Sequence, residues 1–444
     1  MTGARVRPDT MTAMVPANSP TRRPDSAFGQ ARLGLAIGVG RLAATASRLA
    51  GRGSGASIRG QVMLRIDPRA FGKLLRGRRI VAVSGTNGKT TTTHLLTAAV
   101  RASLSDGNRL VTNADGANLF HGIASALGEH PDADIAILET DERVVRELIR
   151  QGRPELLVLL NFSRDQLDRH HEIKSLGRSW REALLEAGAD GPAVVANSCD
   201  PLVVWAARAA HRTVWVDTGD SWTQDAALCP ECGAVLIHDH PTPSSRAHWH
   251  CPGCDLAQPP PDFVVDGDDV TDRAGTVHHL ALQVPGRFNR ANAACALAAA
   301  VEFGATPVDA LRGMRDVRSP AGRYATAHFG STSARLLLAK NPAGWAESLP
   351  LAASDPVVLA IDSAAADGRD VSWLWDVDYE QLAGRHVVCT GPRAQDLAVR
   401  LTYADVEHSV EPDLSIALTD RAATLDCIAT YTPFQRLRRL GGLA

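Results

Sequence analysis

Lysine is nearly missing from this chain. Only Lys73, Lys89, Lys174 and Lys340 occur in 444 residues, and arginine supplies every other residue of the 47 Lys plus Arg. Arginine serves any solvated or ion-pairing role, whereas a compact ammonium suits phosphate binding, so a lysine kept against this background points to chemistry. An excess of positive charge is missing too: the formal net charge is −2, which excludes a general nucleic-acid surface. No apolar run approaches the about 20 residues that a membrane-spanning helix needs. Cysteine is limited to eight residues, four of them in two Cys-x-x-Cys pairs. Cys199, Cys295, Cys389 and Cys427 lie in apolar or turn segments and read as reduced structural residues. The length allows two or three domains with a sizeable core.

The stretch that organises the chain is Ile80-Val-Ala-Val-Ser-Gly-Thr-Asn-Gly-Lys-Thr-Thr-Thr-Thr93. A β-branched apolar run breaks into a glycine-bearing loop, and Lys89 opens a helix, as in a phosphate-binding loop after a buried strand. Backbone N–H groups from Gly85, Thr86, Asn87, Gly88 and the helix start with Thr91 would cradle phosphate oxygens. Lys89 would reach the β- and γ-phosphates of ATP, and the Thr90 hydroxyl would sit on Mg²⁺. The short Gly-Thr-Asn-Gly-Lys-Thr form, starting at Gly85 and not at the position of Val83, resembles that of the Mur ligases and folylpolyglutamate synthases. Those families make acyl-phosphates from ATP and a carboxylate. An ATP site together with reduced cysteines argues for the cytoplasm.

Residues 1–27, rich in Pro, Thr, Arg and Ser, are expected to be a disordered extension. Leu33–Gly40 is briefly apolar, but Arg41 interrupts it, so an amphipathic helix over 31–50 is preferred to a signal peptide. That helix either packs on the body or rests on a membrane surface. From Ile80 to about Val317 the pattern is strand, loop, helix, repeated, which predicts an α/β central domain over 28–318 with a doubly wound, mainly parallel sheet. Ligands of such sheets lie beyond the carboxyl ends of strands. Glu139 ends the strand Asp134-Ile-Ala-Ile-Leu-Glu139 and could hold the same Mg²⁺ as Thr90. Asn113-Ala-Asp-Gly-Ala-Asn118 reads as a loop at the same crevice.

Asn161-Phe-Ser-Arg-Asp-Gln-Leu-Asp168 resembles the Mur ligase Asn-x-x-x-Asp-His-Leu-Asp segment, with Gln166 in place of the metal-binding histidine. The family's carbamylated lysine also lacks a counterpart, Lys174 and Arg181 being nearest, which argues against a second magnesium of the usual kind. Asn197-Ser-Cys-Asp200 matches the family's Asn-x-x-Asp turn, and Pro285-Gly-Arg-Phe-Asn289-Arg-Ala-Asn292 its Pro-Gly-x-x-Asn-x-x-Asn. Asn289 and Asn292 either help to place nucleotide or start a helix.

Between these motifs lie Cys229-Pro-Glu-Cys232 and, after eighteen intervening residues, Cys251-Pro-Gly-Cys254. Paired thiolates on tight turns at this separation predict a tetrahedral, structural Zn²⁺ in a ribbon inserted at about 225–258. His238, His240, His248 and His250 are read as solvated neighbours.

Ser319-Pro-Ala-Gly-Arg323 marks a boundary to a C-terminal Rossmann-like α/β domain over 319–444, with strands at 335–339, 356–361 and 386–390. Gly322-Arg323 resembles the Gly-Arg of the Mur ligases that reaches back to ATP, and Asn341-Pro342 resembles their Asn-Pro. Ala366-Asp367-Gly-Arg-Asp370-Val-Ser-Trp-Leu-Trp-Asp376 and Ala429-Thr-Tyr-Thr432 resemble the MurT family, as do Gly51-Arg-Gly-Ser-Gly-Ala-Ser57 and the ribbon. The likeness runs from about residue 30 to the end.

That resemblance implies ATP-dependent amidation of the D-glutamate α-carboxylate of lipid II. It also implies ammonia from a GatD-type class I glutamine amidotransferase subunit in a heterodimer. None of the eight cysteines sits on a Gly-x-Cys-x-Gly turn with a histidine partner, so the glutaminase must be another chain. The family is thought to lend its partner's Cys–His pair an acid from the segment quoted above. Asp370 is the first choice for it, with Asp376, which could instead cap a helix, and Asp367, which could make a turn with Gly368, as the alternatives. Trp373 and Trp375 would anchor the segment on the partner. A Mur-type or folylpolyglutamate-type amino-acid ligase and a non-catalytic nucleotide-binding scaffold remain as other readings, the last prompted by the missing histidine and lysine.

Overall fold

The structure is a computed structural model that describes residues 27–49, 56–104, 109–113, 117–164, 173–219, 225–239, 246–318, 324–364, 367–419 and 424–443. Arg323, Asp165, Gln166, Asp168, His240 and the extension before residue 27 lie outside the described residues. Helix α1 (Ala27–Leu49) covers the predicted amphipathic segment and packs on α2 (Ala56–Ile66). Gly40 permits the close approach, because a Cβ there would lie 2.8 Å from Met63 Cγ. A short α3 (Ala70–Leu75) leads into the first sheet.

That sheet is built from alternating units: β1 (Arg79–Ser84), α4 (Lys89–Ser103), β2 (Leu110–Thr112), α5 (Phe120–Glu129), β3 (Ile135–Glu139), α6 (Val145–Gly152), β4 (Leu156–Leu159), α7 (Ile173–Ala187), β5 (Ala193–Asn197), α8 (Pro201–Ala207) and β6 (Thr213–Asp217). A separate hairpin, β7 (Ile237–Asp239) with β8 (His248–His250), follows. Strands β9 (Phe263–Asp266), β10 (Asp269–Asp272) and β11 (Val277–His279) then extend the sheet, and α9 (Arg287–Glu302) and α10 (Pro307–Arg315) cover it.

The strand order is β11-β10-β9-β6-β5-β4-β1-β3-β2, parallel from β2 to β9 and antiparallel beyond. Strand β1 lies between β3 and β4, with Val83 opposite Glu139 on one side and Val158 on the other. A β1 buried along nearly all its length explains its unbroken apolar sequence. Ile80 and Ala82 enter one core layer with α5, α6 and α7; Val81 and Val83 enter the other with α4, α9 and α10. Each fully buried Leu or Val contributes about 1.5–3 kcal/mol. The doubly wound arrangement expected from the sequence is present.

The second sheet comprises β12 (Tyr324–Phe329), β13 (Thr332–Leu338), α11 (Pro342–Ser348), β14 (Val357–Ala360), β15 (Val387–Thr390), α12 (Ala394–Tyr403), β16 (His408–Val410), α13 (Leu414–Leu418), β17 (Thr424–Ala429) and α14 (Tyr431–Leu440). Its order is β12-β13-β17-β14-β15-β16, with β12 antiparallel at the edge and the rest parallel. The three strands expected here correspond to β13, β14 and β15. No helix among the described residues is long and apolar enough to cross a membrane.

Candidate active site at the phosphate loop

The loop from Gly85 to Gly88 joins β1 to α4 and is bonded to the end of β4. Thr86 N donates to Asn161 O at 2.9 Å, and Asn87 N donates to Asn161 Oδ1 at 2.8 Å. Thr86 Oγ1 accepts from Ser163 N at 3.1 Å. Gly85 and Gly88 have φ of +143° and +84°, a region that L side chains rarely adopt. A Cβ at Gly85 would lie 2.9 Å from Asn161 N, and one at Gly88 would overlap Asn292 Oδ1. Only bare backbone fits at these two glycines. Because Thr86 N and Asn87 N are spent on Asn161, the expected cradle is corrected to the free amides at the start of α4, Lys89 to Thr91.

Lys89 is mostly buried at the start of α4. Its Nζ contacts Gly85 O and donates to Thr86 O at 3.1 Å and to Glu142 Oε2 at 3.3 Å. Thr90, fully buried, and Thr91 follow it on the same turn. Asp141 stands nearby: burial would raise its carboxyl, but hydrogen bonds from Arg143 outweigh that and hold it below the ordinary range.

Glu139, at the end of β3, is 1% exposed. Asn113 clamps its backbone on both sides at 2.8 Å, and Asn118 Nδ2 donates to Oε1 at 3.0 Å. The other oxygen, Oε2, is buried with no hydrogen-bond partner. An unmatched buried carboxylate oxygen is costly, and a cation is the ligand that removes the cost. The site therefore fits the Mg²⁺ expected at Thr90 and Glu139.

Between the two sheets lies a cavity of about 330 Å³. Asn87, Gly88 and Thr91 line one side, Asn161 to Ser163 the floor, Phe288, Asn289 and Asn292 a third wall, and Tyr324, Lys340 and Gly344 the C-terminal side. Asn289 Nδ2 donates to Pro285 O at 2.6 Å, and α9 has no side-chain cap, so neither asparagine serves as a helix start. The Asn-x-x-Asp turn does cap: Asp200 accepts from Leu202 and Val203 and also from Phe162 N at 2.7 Å, fixing the cavity floor. Asn341 caps α11 through Gly344 N at 3.0 Å and faces Asn87 and Ser163.

Asn161, Ser163 and Lys340 stand in the sequence motifs above without a site role, and Glu142 is not singled out there. The signal was available for the first two, which follow the carboxyl end of β4, and for Lys340 in its rarity. Arg181, near where the family's modified lysine would fall, donates to Trp205 O at 2.8 Å and stacks over that ring. It serves the packing of α7 on α8.

The four ribbon cysteines bring their Sγ atoms within 4.8 Å of one another, a tetrad of the predicted composition that fits one tetrahedral ion. Cys229–Cys254 and Cys232–Cys251 are 3.6 and 3.4 Å apart. Of the histidines read as solvated neighbours, His248 is exposed and His250, its side chain 41% exposed, has Nδ1 3.4 Å from Asp239 Oδ2, while only His238 has a buried ring atom, Nε2. Burial pushes the Cys295 and Cys389 thiols up to about 12, which suits inert structural residues.

The acidic segment of the C-terminal sheet divides into three environments. Asp367 is buried and accepts from Thr432 N at 2.8 Å, tying its loop to α14, and Gly368 beside it has φ +87°. Asp370 is exposed; Ser372 N donates to it at 2.8 Å, and that amide and the Ser372 hydroxyl hold its carboxyl below the ordinary range. Asp376 does not cap a following helix. It ends a 3₁₀ turn and pairs with Arg164 Nη1 at 3.3 Å, facing the first sheet. Trp373 is not a surface anchor either: it is 5% exposed and packs with Trp345 at 6.0 Å, the apolar alternation of the turn driving it inward. Trp375 is 54% exposed and meets Tyr403 edge-on at 5.3 Å.

Residues 83–253 match the Mur ligase middle domain, and residues 338–434 match the MurT ligase C-terminal domain. The lipid II isoglutaminyl synthase (glutamine-hydrolyzing) subunit MurT of Staphylococcus aureus (strain N315) is 31% identical over 392 residues, covering 84% of this chain and 88% of the relative. The protein of the same description from Streptococcus pneumoniae (strain ATCC BAA-255 / R6) is 27% identical over 438 residues, covering 87% and 92%. Among solved structures, a pseudomurein peptide ligase type C from Methanothermus fervidus superposes with a TM-score of 0.58 at 17% identity, covering 82% of this chain and 78% of its own. The Mycobacterium tuberculosis folylpolyglutamate synthase, solved with ADP and AMPPCP, gives 0.55 at 15% identity, covering 93% and 99%. These two share the fold. The S. aureus relative carries more, and with the geometry of the phosphate loop it settles the family: this chain belongs to the MurT family, on a Mur ligase fold.

Proposed function

We propose that the protein is an ATP-dependent carbon–nitrogen ligase of peptidoglycan biosynthesis. It amidates the D-glutamate α-carboxylate of the lipid II stem peptide to D-isoglutamine. The observation that carries the reading is one cavity lined by Asn87, Gly88 and Thr91 of the phosphate loop and by Asn289 and Asn292, in a chain of the MurT family. A carboxylate is a poor electrophile. Its oxygen therefore attacks the γ-phosphorus of ATP, ADP leaves, and an acyl-phosphate forms. Ammonia then adds to the acyl carbon, phosphate departs, and the nitrogen loses its one extra proton to water.

The chain's own groups act on charge and position. Lys89 and the free amides at the start of α4, up to Thr91, offset charge developing on the transferring phosphoryl group. Asn289 and Asn292 wall the nucleotide, Asn341 stands on its C-terminal side, Glu142 steers the Lys89 ammonium, and the family resemblance gives Arg323 a part in holding ATP. Thr90 and Glu139 would hold Mg²⁺, which supplies electrostatic stabilisation of the phosphates. Cys229, Cys232, Cys251 and Cys254 would hold a structural Zn²⁺, four thiolates leaving no position for water.

Ammonia comes from a GatD-type class I glutamine amidotransferase partner in the cytoplasm. Asp370 lends its carboxylate to that partner's Cys–His pair. Its exposure supports this choice over the buried Asp367 and over Asp376, which is engaged by Arg164. The deciding experiment is ADP release with lipid II and either ammonium or candidate amino acids. Dependence on ammonium supports amidation; dependence on an amino acid would make the chain a peptide-type ligase, and release with neither would leave a scaffold.

A further inference from the structure

Helix α1 carries a row of large apolar residues that is mostly uncovered by the described residues. Phe28, Leu35, Leu42 and Leu49 are 79%, 61%, 72% and 86% exposed. They recur at every seventh residue, a spacing that drifts by only about 20° per step around an α-helix, so the four form one stripe about 30 Å long. The opposite face, with Ala36, Gly40, Ala44 and Ser47, is buried against the body. A helix packed on a globular body needs only one apolar face, and here a second one looks outward.

Basic residues flank the stripe. Residues 27–66 contain six arginines and no acidic residue, in a chain whose net charge is −2, although Arg59 is buried and pairs with Glu129. Arg32, Arg41 and Arg48 lie on the exposed side of α1, and the oxygens they bond, Ile66 O, Gly128 O and Thr45 Oγ1, are neutral. Arg32 also acts on the Asp67 carboxylate, whereas Arg41 and Arg48 keep their charge at the edge of the apolar row. A second copy of the helix would bring arginine against arginine. An anionic lipid surface answers both features, accepting Leu and Phe below the headgroups and guanidinium groups among the phosphates.

We propose that α1 lies flat on an anionic membrane surface and docks this protein there. The inference deepens the function proposed above, since it explains how a crevice outside the bilayer meets a lipid-borne substrate. Packing carries the position inward. Helix α2 lies against α5 at Gly60, where any Cβ would run into the carbonyl of His121. Helix α5 begins two residues after Asn118, the side chain that holds Glu139. Packing thus links α1, through α2 and α5, to the loop that holds Glu139.

The test is flotation of the full-length chain with vesicles of phosphatidylcholine alone or with about 30 mol % phosphatidylglycerol. The wild-type chain should float with the anionic vesicles only, and less so as salt screens the arginines. Leu35→Ser combined with Leu42→Ser should lower the bound fraction by about tenfold or more. Helical circular dichroism and ammonium-driven turnover of a water-soluble stem-peptide analogue should not change. Absence of flotation, or equal flotation of the double variant, would overturn the proposal. So would a sedimenting dimer, or a complex with the glutaminase, that the double substitution dissolves. Failure of the wild-type chain to turn over the soluble analogue would count against the proposed reaction, while the flotation comparison would still decide the docking.

Discussion

Asn341 and Asn87 face each other amide to amide, each donating Nδ2 to the other's Oδ1 at 3.3 Å. One stands at the start of α11 in the second sheet, the other in the phosphate loop of the first, so this pair couples the C-terminal half to the nucleotide crevice.

Asn341→Asp separates the two jobs of that residue. An aspartate still accepts from Gly344 N and caps α11, so the melting temperature should stay within about 2 °C of the wild type. It loses the donor to Asn87, and misplacement of the loop should lower kcat/KM for ATP by about tenfold or more. Unchanged kinetics would remove Asn341 from the site, and a large drop in melting temperature would make it a structural cap only.

Metal analysis of freshly reduced protein should find about one zinc per chain, from four thiolates within 4.8 Å. Cys232→Ser should abolish that stoichiometry and destabilise the first sheet's domain, while nucleotide affinity changes by less than about threefold. Metal-free protein with an intact ribbon would contradict the assignment.

Asp370→Asn should keep ammonium-driven amidation and complex formation but lose glutamine-driven amidation, because an exposed acid acting on a partner's imidazole is dispensable for the ligase reaction. Loss of both activities would place Asp370 at the ATP site. Loss of neither would pass the role to Asp376, whose pairing with Arg164 must then open in the complex.

Asp426 gives a pH dependence of known sign. It accepts from Arg335 Nε at 2.6 Å, Ala353 N at 2.6 Å and Ser354 N at 2.9 Å. Burial would raise its carboxyl, but these three donors outweigh that and hold it below the ordinary carboxylate range. A carboxyl depressed in the folded state stabilises above about pH 4, and the contribution is lost as pH falls through its folded value. Asp426→Asn should cost about 3 kcal/mol at pH 7. The gap in melting temperature between wild type and variant should shrink at pH 3, and a gap independent of pH would contradict the ion pair.

Much of this was legible in the chain. The phosphate loop and the four-cysteine ribbon were readable because both are local: their function needs a fixed spacing of residue types on one turn. The parallel strands were readable because burial on both faces leaves unbroken apolar runs such as Ile80–Val83. What escaped needs long-range information or a subtler turn. The antiparallel extension β9–β11 did announce itself with Asp266-Gly267, whose φ of +59° makes the tight turn, but its strands are short and mixed in polarity. That Trp373 points inward and Trp375 outward depends on Trp345, far away in sequence. The fates of Asp367 and Asp376 likewise rest on Thr432 and Arg164, partners no local pattern names.

The central claim is that Lys89 and its loop activate a lipid II carboxylate as an acyl-phosphate. Hydroxylamine trapping with mass spectrometry tests it most directly, on purified chain given ATP, magnesium and lipid II without ammonium. The wild-type protein should yield a hydroxamate at the D-glutamate α-carboxyl, and Lys89→Ala, folded by circular dichroism, should yield less than a few per cent of it. A hydroxamate formed equally by Lys89→Ala, or none formed by the wild type while ATP is consumed, would contradict the account.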